Sequence, residues 1–544
     1  MAQPHPPMPP NPPSRDGSGT PQRQAAAPPQ PPAAPPASPL PGPYAPNSYG
    51  TYPTAPGLPF GAPAFPPPVP DRRPDRKRTA VVIGSVLAFL LAAGGGIWAV
   101  TSDDKGPGEA TAHGGTTHED GARDRDAAGG PTVGPRPGGD ADDPNNARRA
   151  GEAKVLVNER APEVSRSGIE IPGAWVVGDR VVKAVQSKVV AYSTADGKEK
   201  WSVSLPKRVC AAPPNATDDG KVVVAFEGGR DGECSRFAML DLTAGKKVWE
   251  RPIPKSGRFS GSYFGLDMAL SGDVVGASWL GGSTMIKVGD GAPLTAPELA
   301  SGCSVDGFAG GRALLRSWRC VSDRTSHVER IDTSTGKAAW TWEGREGLET
   351  KKIYSTDPAV VSLASEDDKT AVLVALKDGK ERSAIDLGKQ DDARPCGGLL
   401  LTGRGVGGCQ GAVASDSTLY LATGYKPGSF QSNEVHAFDL DTGKRTWTSK
   451  SAGRVLVPLR MDGDKVIAYR KPTFDKPGAV VGIGSGGGDP EVVLRIPHAT
   501  RSAETMFFGA RYLYENGRFF IASTYLNGSD RSDNNKLLLA YGED

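Results

Sequence analysis

The sequence lacks several short motifs that mark common enzymes and metal sites. It contains no CxxC pair, no HExxH and no GxSxG. These absences disfavour a zinc site built on closely spaced cysteines, a zinc protease and an α/β-hydrolase. The histidines His327, His436 and His498 are too scattered to nominate a catalytic triad. We therefore predict no catalytic residue and no metal ligand.

One glycine pattern has the spacing of a dinucleotide site but lacks its context. Gly482, Gly484 and Gly487 form a GxGxxG pattern. A dinucleotide site requires a helix directly after the glycines, and an acidic residue on the next strand. The residues that follow here, DPEVVLRI, have the pattern of a turn and a strand. The pattern therefore predicts a glycine-rich hairpin loop.

The chain also lacks a large excess of charge. Its formal net charge is +2 over 544 residues, and its one dense basic run is DRRPDRKR at 71–78. A nucleic-acid-binding surface needs many clustered basic residues. Because this single run lies beside an apolar segment, it is better explained as the cytoplasmic flank of a membrane span. We expect no nucleic-acid partner.

Among the first 150 residues, one segment is apolar enough to be buried in a membrane. Residues 1–78 hold more than half of the 49 prolines and are predicted to be a disordered cytoplasmic tail. Residues 80–100 carry no charge, and at 1.5 Å per residue they are long enough to cross a bilayer. We predict one transmembrane helix over 79–101, since a signal peptide would be shorter and nearer the N-terminus. Residues 102–150, rich in Gly, Asp and Pro, are predicted to be a disordered extracellular linker.

All six cysteines follow the predicted span, on the side that the basic flank makes extracellular. They are Cys210, Cys234, Cys303, Cys320, Cys396 and Cys409. Pairing each cysteine with its neighbour in sequence would close three short loops in an oxidising compartment. Six cysteines allow fifteen pairings, so this choice rests on proximity alone.

A unit of mid-forties length repeats after the linker. Four copies share Gly-Lys-x-x-Trp, at Gly197, Trp201, Gly245, Trp249, Gly336, Trp340, Gly443 and Trp447. Weaker copies lie around Gly291, Gly379 and Gly488. The apolar alternation on both sides predicts two short strands joined by a tight turn, in which Gly permits a positive φ and Trp buries its ring against the next unit. A repeat of this length is typical of propeller blades.

A second signal precedes each hairpin, a small turn followed by an apolar strand. Eight such starts occur, from GDRVVKAV to NGRFFIAS. The last start, at Asn516, has no closing strand, whereas EAKVLVNER around 153–160 is an unassigned strand at the other end. We therefore predict an all-β, eight-bladed β-propeller over 151–544 that closes by pairing its N-terminal and C-terminal strands.

The repeat, as in AFDLDTGKRTW, resembles that of the eight-bladed quinoprotein-type propellers, which are built from PQQ-like repeats. The resemblance covers roughly 153–544 and is strong in four units. This superfamily includes quinone-dependent alcohol and sugar dehydrogenases, a lipoprotein that helps to assemble outer-membrane barrels, and many membrane-anchored propellers. The layout of tail, span and external propeller is similar to that of proteins from high-GC Gram-positive bacteria.

The resemblance makes a PQQ-dependent dehydrogenase one alternative. A quinone with calcium needs Asp, Glu or Asn oxygens that converge at the ring centre. The dehydrogenases also carry an adjacent Cys-Cys pair, and this chain has none. The acidic residues instead lie in repeat turns, where carboxylates usually cap backbone groups, as Asp196, Asp241, Asp332 and Asp441. We expect no cofactor.

The sequence thus predicts a single-pass membrane protein that displays a non-catalytic binding or scaffold module in the cell envelope. The N-terminus is expected in the cytoplasm and the propeller outside, with an extracytoplasmic protein or ligand bound at its loop-rich faces or central funnel. The longest loops, 424–434, 470–478 and 525–535, are the candidate recognition surface. A receptor-like sensor that links the propeller to cytoplasmic partners is a further alternative.

Overall fold

The computed structural model describes part of the chain from Asp143 onward. It covers residues 143–543 except 230–231, 255–262, 264, 296, 323–324, 368–370, 388–404, 425–431, 451–452, 508 and 529–534. The predicted tail and span, and residues 102–142 of the predicted linker, lie outside the described residues. Within the described residues, no helix is long and apolar enough to cross a membrane.

The described chain forms eight consecutive antiparallel sheets, which are the blades of a propeller. Blades 1 to 4 comprise β3 (Ala174–Val177), β4 (Arg180–Val185), β5 (Lys188–Ser193) and β6 (Glu199–Ser204); β7 (Val209–Ala211), β8 (Lys221–Gly228), β9 (Glu233–Asp241) and β10 (Lys246–Pro252); β11 (Asp267–Ser271), β12 (Val274–Trp279) and β13 (Gly282–Lys287); and β14 (Cys303–Ala309), β15 (Leu314–Cys320), β16 (Ser326–Ile331) and β17 (Ala338–Glu343).

Blades 5 to 8 comprise β18 (Glu349–Thr356), β19 (Ala359–Ala364), β20 (Ala371–Lys377) and β21 (Lys380–Ile385); β22 (Ala412–Ala414), β23 (Thr418–Ala422), β24 (Glu434–Asp439) and β25 (Arg445–Lys450); β26 (Leu456–Asp462), β27 (Lys465–Arg470), β28 (Ala479–Gly484) and β29 (Gly487–Arg495); and β30 (Gly509–Glu515), β31 (Arg518–Leu526), β32 (Lys536–Gly542) and β1 (Lys154–Arg160). Strand β2 (Ile169–Glu170) pairs with β31, and one helical turn, α1 (Arg501–Glu504), lies between blades 7 and 8.

The middle strands of the blades are buried on both faces. Strand β12 is buried at every position, whereas β6 exposes most of its residues. The reason is that each sheet is covered by a neighbouring sheet on either side, as in other stacked-sheet folds. The apolar core of the described residues is correspondingly divided into eight clusters, each between two adjacent blades.

The two ends of the propeller meet in blade 8. Strand β1 pairs antiparallel with β32, from Lys154 opposite Gly542 to Arg160 opposite Lys536. Both strands contribute fully buried residues, such as Val157 and Leu539. The predicted all-β, eight-bladed propeller and its closure by N-terminal and C-terminal strands are confirmed.

The repeated glycine and tryptophan lie against each other across neighbouring blades. Gly245 has φ +66°, and a Cβ atom on it would lie 2.5 Å from Cγ of Trp201 in the preceding blade. Gly487 stands in the same relation to Trp447, at 2.9 Å from Cδ2. The indole Nε1 of Trp447 also donates to the Ser485 carbonyl at 2.8 Å. The turn therefore needs glycine both for its backbone conformation and for the space that the indole fills.

Blade 3 departs from the repeat. In place of a fourth strand it has one bridge, between Ile286 and Pro293. Leu294 then occupies the position of the missing tryptophan, with its Cβ 3.3 Å from where a Cβ on Gly336 would lie. An aliphatic side chain thus preserves the contact with blade 4 where the sequence repeat is weakest.

The turns of the ring lie on two opposite faces. We call turn face the side that holds the turns after the first and third strands of each blade, and disulfide face the side that holds all other connections. On the turn face, Thr194 N donates to the Asp179 carbonyl at 2.8 Å and Leu440 N to that of Ser417 at 2.8 Å. On the disulfide face, Leu205 N donates to the Ser187 carbonyl at 2.8 Å. Each face therefore has its own backbone network.

The described chain begins on the outer edge of blades 7 and 8. Residues Pro144–Ala147, within the predicted linker, form a 3-10 turn. The Asn145 side chain accepts from Val155 N at 2.8 Å and donates to its carbonyl at 3.0 Å. The Glu152 carboxylate accepts from His498 N at 3.2 Å. This segment is thus tied to the propeller before the first strand.

Candidate binding face

The described cysteines all lie on the disulfide face. Cys210 at the start of blade 2 is bonded to Cys234, with Cα atoms 6.0 Å apart. Cys303 is bonded to Cys320 across the paired strands β14 and β15. These are the pairs that proximity predicted. Cys409 is also disulfide-bonded, and Cys396 lies outside the described residues.

A segment of the chain lies across the ring centre below this face. Residues 405–411 connect blades 5 and 6. At one end, the Val406 carbonyl accepts from Ile353 N of blade 5 at 2.7 Å. At the other end, the Gln410 side chain accepts from Tyr512 N of blade 8 at 2.9 Å, and Gly411 N donates to the Pro458 carbonyl of blade 7 at 3.3 Å. The segment thus joins first strands on opposite sides of the ring.

A second segment reaches the centre from the turn face. It is the 212–220 loop of blade 2. The Pro213 carbonyl accepts from Nε1 of Trp175 in blade 1 at 3.1 Å, and the Pro214 carbonyl accepts from Nη2 of Arg511 in blade 8 at 2.7 Å. Both segments are therefore hydrogen-bonded to the innermost strands of the ring.

Charged groups at the centre are engaged in holding these segments. The Lys352 ammonium donates to the Gly405 carbonyl. Burial raises the pKa of Asp267 to about 6, and the Lys352 charge partly opposes that rise. Burial lowers the pKa of Arg511 to about 10. Lys352 and Arg511 therefore each donate a hydrogen bond to one of the two segments.

A buried lysine holds the entry to blade 1. Lys183 is fully buried, and its Nζ donates to the carbonyls of Ile171 at 2.7 Å, Gly173 at 3.0 Å and Ala184 at 2.6 Å. Burial, with a smaller contribution from Arg511, lowers its pKa to about 7. Three acceptors at these distances match the three donors of an ammonium group. Lys183, which belongs to β4, thus holds the backbone of Ile171 and Gly173 against this strand.

The described residues contain no group of three or more His, Cys, Asp and Glu side chains that could hold a metal ion. Three repeat carboxylates instead accept from turn backbone N–H groups: Asp196 from Lys198, Asp241 from Ala244 and Asp332 from Ser334. In the fourth repeat turn, Asp439 accepts from the Thr442 backbone N–H. Asp441 of the same turn instead accepts from Nε of Arg382 at 2.6 Å.

The three histidines lie in different parts of the ring, and each contacts its own neighbours. His436 is buried in β24 beside Glu434, with Nε2 3.2 Å from the carboxylate. His327 stacks on Trp318, with ring centroids 3.8 Å apart. His498 lies in the short 3-10 turn before α1. The GxGxxG glycines lie in the hairpin of β28 and β29, as the sequence predicted.

Exposed apolar side chains mark the disulfide face. Three residues in loops between second and third strands are exposed: Leu280 by 64%, Val321 by 82% and Phe474 by 90%. The other large exposed apolar residues of the described chain, Val248 and Val493, lie on outer strands. In the described part of the turn face, no large apolar side chain is exposed to this extent.

The 470–478 loop is the predicted recognition loop that the structure describes in full. It joins β27 to β28 on the disulfide face. The predicted loops 424–434 and 525–535 connect the corresponding strands of blades 6 and 8, so their ends lie on the same face. Their middle parts, 425–431 and 529–534, lie outside the described residues.

A buried carboxyl anchors the base of this loop. Glu504 of α1 is buried and accepts from Gly478 N at 3.0 Å and from the Tyr469 hydroxyl at 2.7 Å. Burial raises its pKa to about 7, and the Gly478 and Tyr469 hydrogen bonds and the Arg454 charge oppose that rise. Sequence patterns gave no sign of this anchor, because Glu504 lies outside the repeat.

The ring defines the class of this chain as an eight-bladed β-propeller, and its repeat resembles the PQQ-like repeat. A family model described as "Outer membrane protein assembly factor BamB" matches residues 83–262, about a third of the chain. No curated protein matches the sequence.

Many solved structures are similar in fold. BamB from Moraxella catarrhalis is 14% identical, with a TM-score of 0.40 over 70% of this chain and 99% of that one. The quinohemoprotein alcohol dehydrogenase ADHIIG from Pseudomonas putida HK5 is 12% identical, with a TM-score of 0.43 over 72% of this chain and 76% of that one. A computationally designed protein, Ika8, is 12% identical, with a TM-score of 0.43 over 71% of this chain and 99% of that one.

Proposed function

We propose that this protein is a non-catalytic binding module that holds a partner protein of the cell envelope on the disulfide face. The observation that carries the proposal is the contrast between ring-centre segments held by the chain itself and exposed apolar side chains on one face. Residues 405–411 and 212–220 are hydrogen-bonded to inner strands, whereas Leu280, Val321 and Phe474 are exposed on one face. Loops carried on a rigid scaffold commonly form binding sites, and these three exposed side chains lie on such loops.

The family match supports the same role. The family is described as an outer membrane protein assembly factor. A factor that assembles other proteins has to contact them, which requires a binding surface. The ring supplies such a surface, because each blade is buttressed by its neighbours through an apolar cluster.

The membrane layout is part of the proposal. A single span over 79–101 would place the N-terminus in the cytoplasm and the propeller outside. Disulfide bonds persist mainly in oxidising compartments, so the two bonded pairs Cys210–Cys234 and Cys303–Cys320 support this placement. Reporter fusions after residues 78 and 142 test it. Activity of an oxidation-dependent reporter only at the second site is expected, and the reverse result would contradict the layout.

The competing dehydrogenase function is tested on the purified full chain. The protein is incubated with PQQ and Ca²⁺, its absorbance spectrum is recorded after gel filtration, and dye reduction is followed with alcohols and sugars. We expect no retained chromophore and no substrate-dependent dye reduction. A bound quinone that supports dye reduction would overturn the non-catalytic proposal.

A further inference from the structure

We propose that Phe474 is the anchor of the disulfide face, and that it inserts into an apolar pocket with a carboxylate-bearing rim on the partner protein. The inference rests on the proposed function and names the contact within it. Phe474 lies at the tip of the loop between β27 and β28 and is 90% exposed. No other large apolar residue of the described chain is exposed as much.

The tip of this loop is held in one conformation by hydrogen bonds of its own. Thr473 N donates to the Lys476 carbonyl at 2.9 Å, and Lys476 N donates to Oγ1 of Thr473 at 3.2 Å. The Thr473 hydroxyl also donates to Oδ1 of Asp475 at 2.8 Å. Pro472 and Pro477 flank the turn and fix φ on both sides. The backbone that carries Phe474 is therefore already ordered before any partner arrives.

The arms of the loop are clamped at its base. Arg454 donates through Nε to the Lys471 carbonyl at 3.0 Å and through Nη2 to the Pro477 carbonyl at 2.5 Å. One guanidinium thus bridges the two arms. On the next residue, Gly478 N donates to the buried Glu504 carboxyl at 3.0 Å. These hydrogen bonds therefore hold the loop tip in a fixed position relative to the blades.

A rigid exposed aromatic residue has the properties of a binding hot spot. Fixing a loop in its bound conformation lowers the entropy lost on association, and central aromatic anchors contribute most of the affinity of many interfaces. In the free protein the exposed ring contributes little to stability, whereas burying a Phe side chain against a partner would be worth roughly 1.5 to 3 kcal/mol. This arrangement is best explained by a partner that covers the ring.

The charges around Phe474 indicate what surrounds the partner's pocket. The Arg501 guanidinium lies 5.6 Å from the centroid of the Phe474 ring, and Lys476 is exposed two residues away. Asp475 is the one acidic residue of the loop. The surroundings of Phe474 therefore carry a net positive charge. A partner pocket of complementary charge carries Asp or Glu on its rim.

A lipid surface would also accept an apolar tip with basic neighbours, but one feature favours a protein. A preformed turn adds affinity for a pocket of fixed shape and adds little for a fluid bilayer.

The test is site-specific photo-crosslinking of the full chain in the cells that produce it. Benzoylphenylalanine replaces Phe474, and in a matched control it replaces Val248, which is 48% exposed on the outer strand β10. We expect a protein adduct of discrete mass from position 474 and none from position 248. Mass spectrometry of the adduct should place Asp or Glu residues around the crosslinked site.

Charge reversal provides the second arm. With Lys476→Glu and Arg501→Glu added, the adduct yield should fall about tenfold. Lipid adducts alone, equal adducts from position 248, a partner site without acidic residues, or an unchanged yield after charge reversal would each overturn the inference.

Positions 280 and 321 separate this inference from the proposed function. If benzoylphenylalanine at Leu280 or Val321 yields a protein adduct and position 474 does not, the anchor is wrong and the binding face stands. If none of the three positions yields an adduct, both proposals fail. All three positions are exposed, so unfolding midpoints close to wild type verify that the substituted chains fold.

Discussion

The turn face and the disulfide face belong to the same eight blades, yet they are stabilised in different ways. On the turn face, short turns with a glycine at positive φ pack on the tryptophan of the preceding blade, as Gly245 does on Trp201. On the disulfide face, the loops differ in length and are held individually by disulfides, by Arg454 and by Glu504. The comparison indicates that the repeat fixes the ring, while the connections outside the repeat form the face that we propose as the binding face.

The largest effect is expected on the turn face, from Gly245→Ala. The new Cβ would lie 2.5 Å from Cγ of Trp201 in a residue with φ +66°. Overpacking and left-handed strain together should lower the free energy of unfolding by about 4 kcal/mol. Gly178→Ala is the control, because Gly178 has φ +59° and nothing within 4 Å of the added atom. Its cost should be about 1 kcal/mol in denaturant unfolding, and equal costs would contradict the packing argument.

The next effect concerns the disulfide face. Replacing both Cys303 and Cys320 with Ser opens a loop with a sequence separation of 17, which should lower the free energy of unfolding by about 3 kcal/mol. Amide hydrogen exchange should accelerate at the disulfide-face ends of β14 and β15 and remain slow at their turn-face ends, near Ala309 and Leu314. Uniform acceleration along both strands would show that the two faces are not independent.

A smaller effect depends on pH. The pKa of Glu504 is raised from 4.5 to about 7, so the folded protein binds this proton more tightly than the unfolded chain. The resulting stabilisation is fully present below pH 4.5 and is lost as the pH rises through about 7. The part of the pH-dependent loss that is due to Glu504, taken as the difference between the wild type and Glu504→Gln across this range, should be about 3 kcal/mol.

Glu504→Gln removes the titrating group, so its contribution to the pH profile should disappear. Glu491→Gln is the control, because that carboxylate is 76% exposed on the neighbouring strand β29. An unaltered profile in the Glu504 variant would mean that this carboxyl does not titrate in the range.

The smallest effect on stability is expected at Phe474. Because the ring is 90% exposed, Phe474→Ala should change the free energy of unfolding by less than about 0.5 kcal/mol. A loss above 1 kcal/mol in denaturant unfolding would show that the ring supports the loop, and this would weaken its assignment as a binding residue.

The sequence predicts the ring far better than the binding face, for a physical reason. Periodic features such as Gly245 and Trp201 arise from a contact that every blade must make, so they recur at fixed spacing. The closing strand around 153–160 was also predictable, because the last blade lacked one strand and this segment had no other place.

The arrangement at the centre and the rim was not predictable in this way. Residues 405–411, the Arg454 clamp and Glu504 each occur once, and their partners lie far away in sequence, as Gln410 and Tyr512 do. The weak unit around Gly291 was expected to supply a hairpin, but Pro293 and Leu294 replace its outer strand with a single bridge. One sequence alone gives no signal for contacts that are made once.

The pairing of β1 with β32 also determines when this protein can finish folding. During synthesis, Lys154–Arg160 emerges first among the described strands, and its partner Lys536–Gly542 emerges last among them. Until then, seven sheets can stack while the earliest strand keeps an unsatisfied edge that invites association with other chains. A ribosome product that stops before Lys536 has no means to cover that edge, so premature termination near the end should be as damaging as termination in the middle.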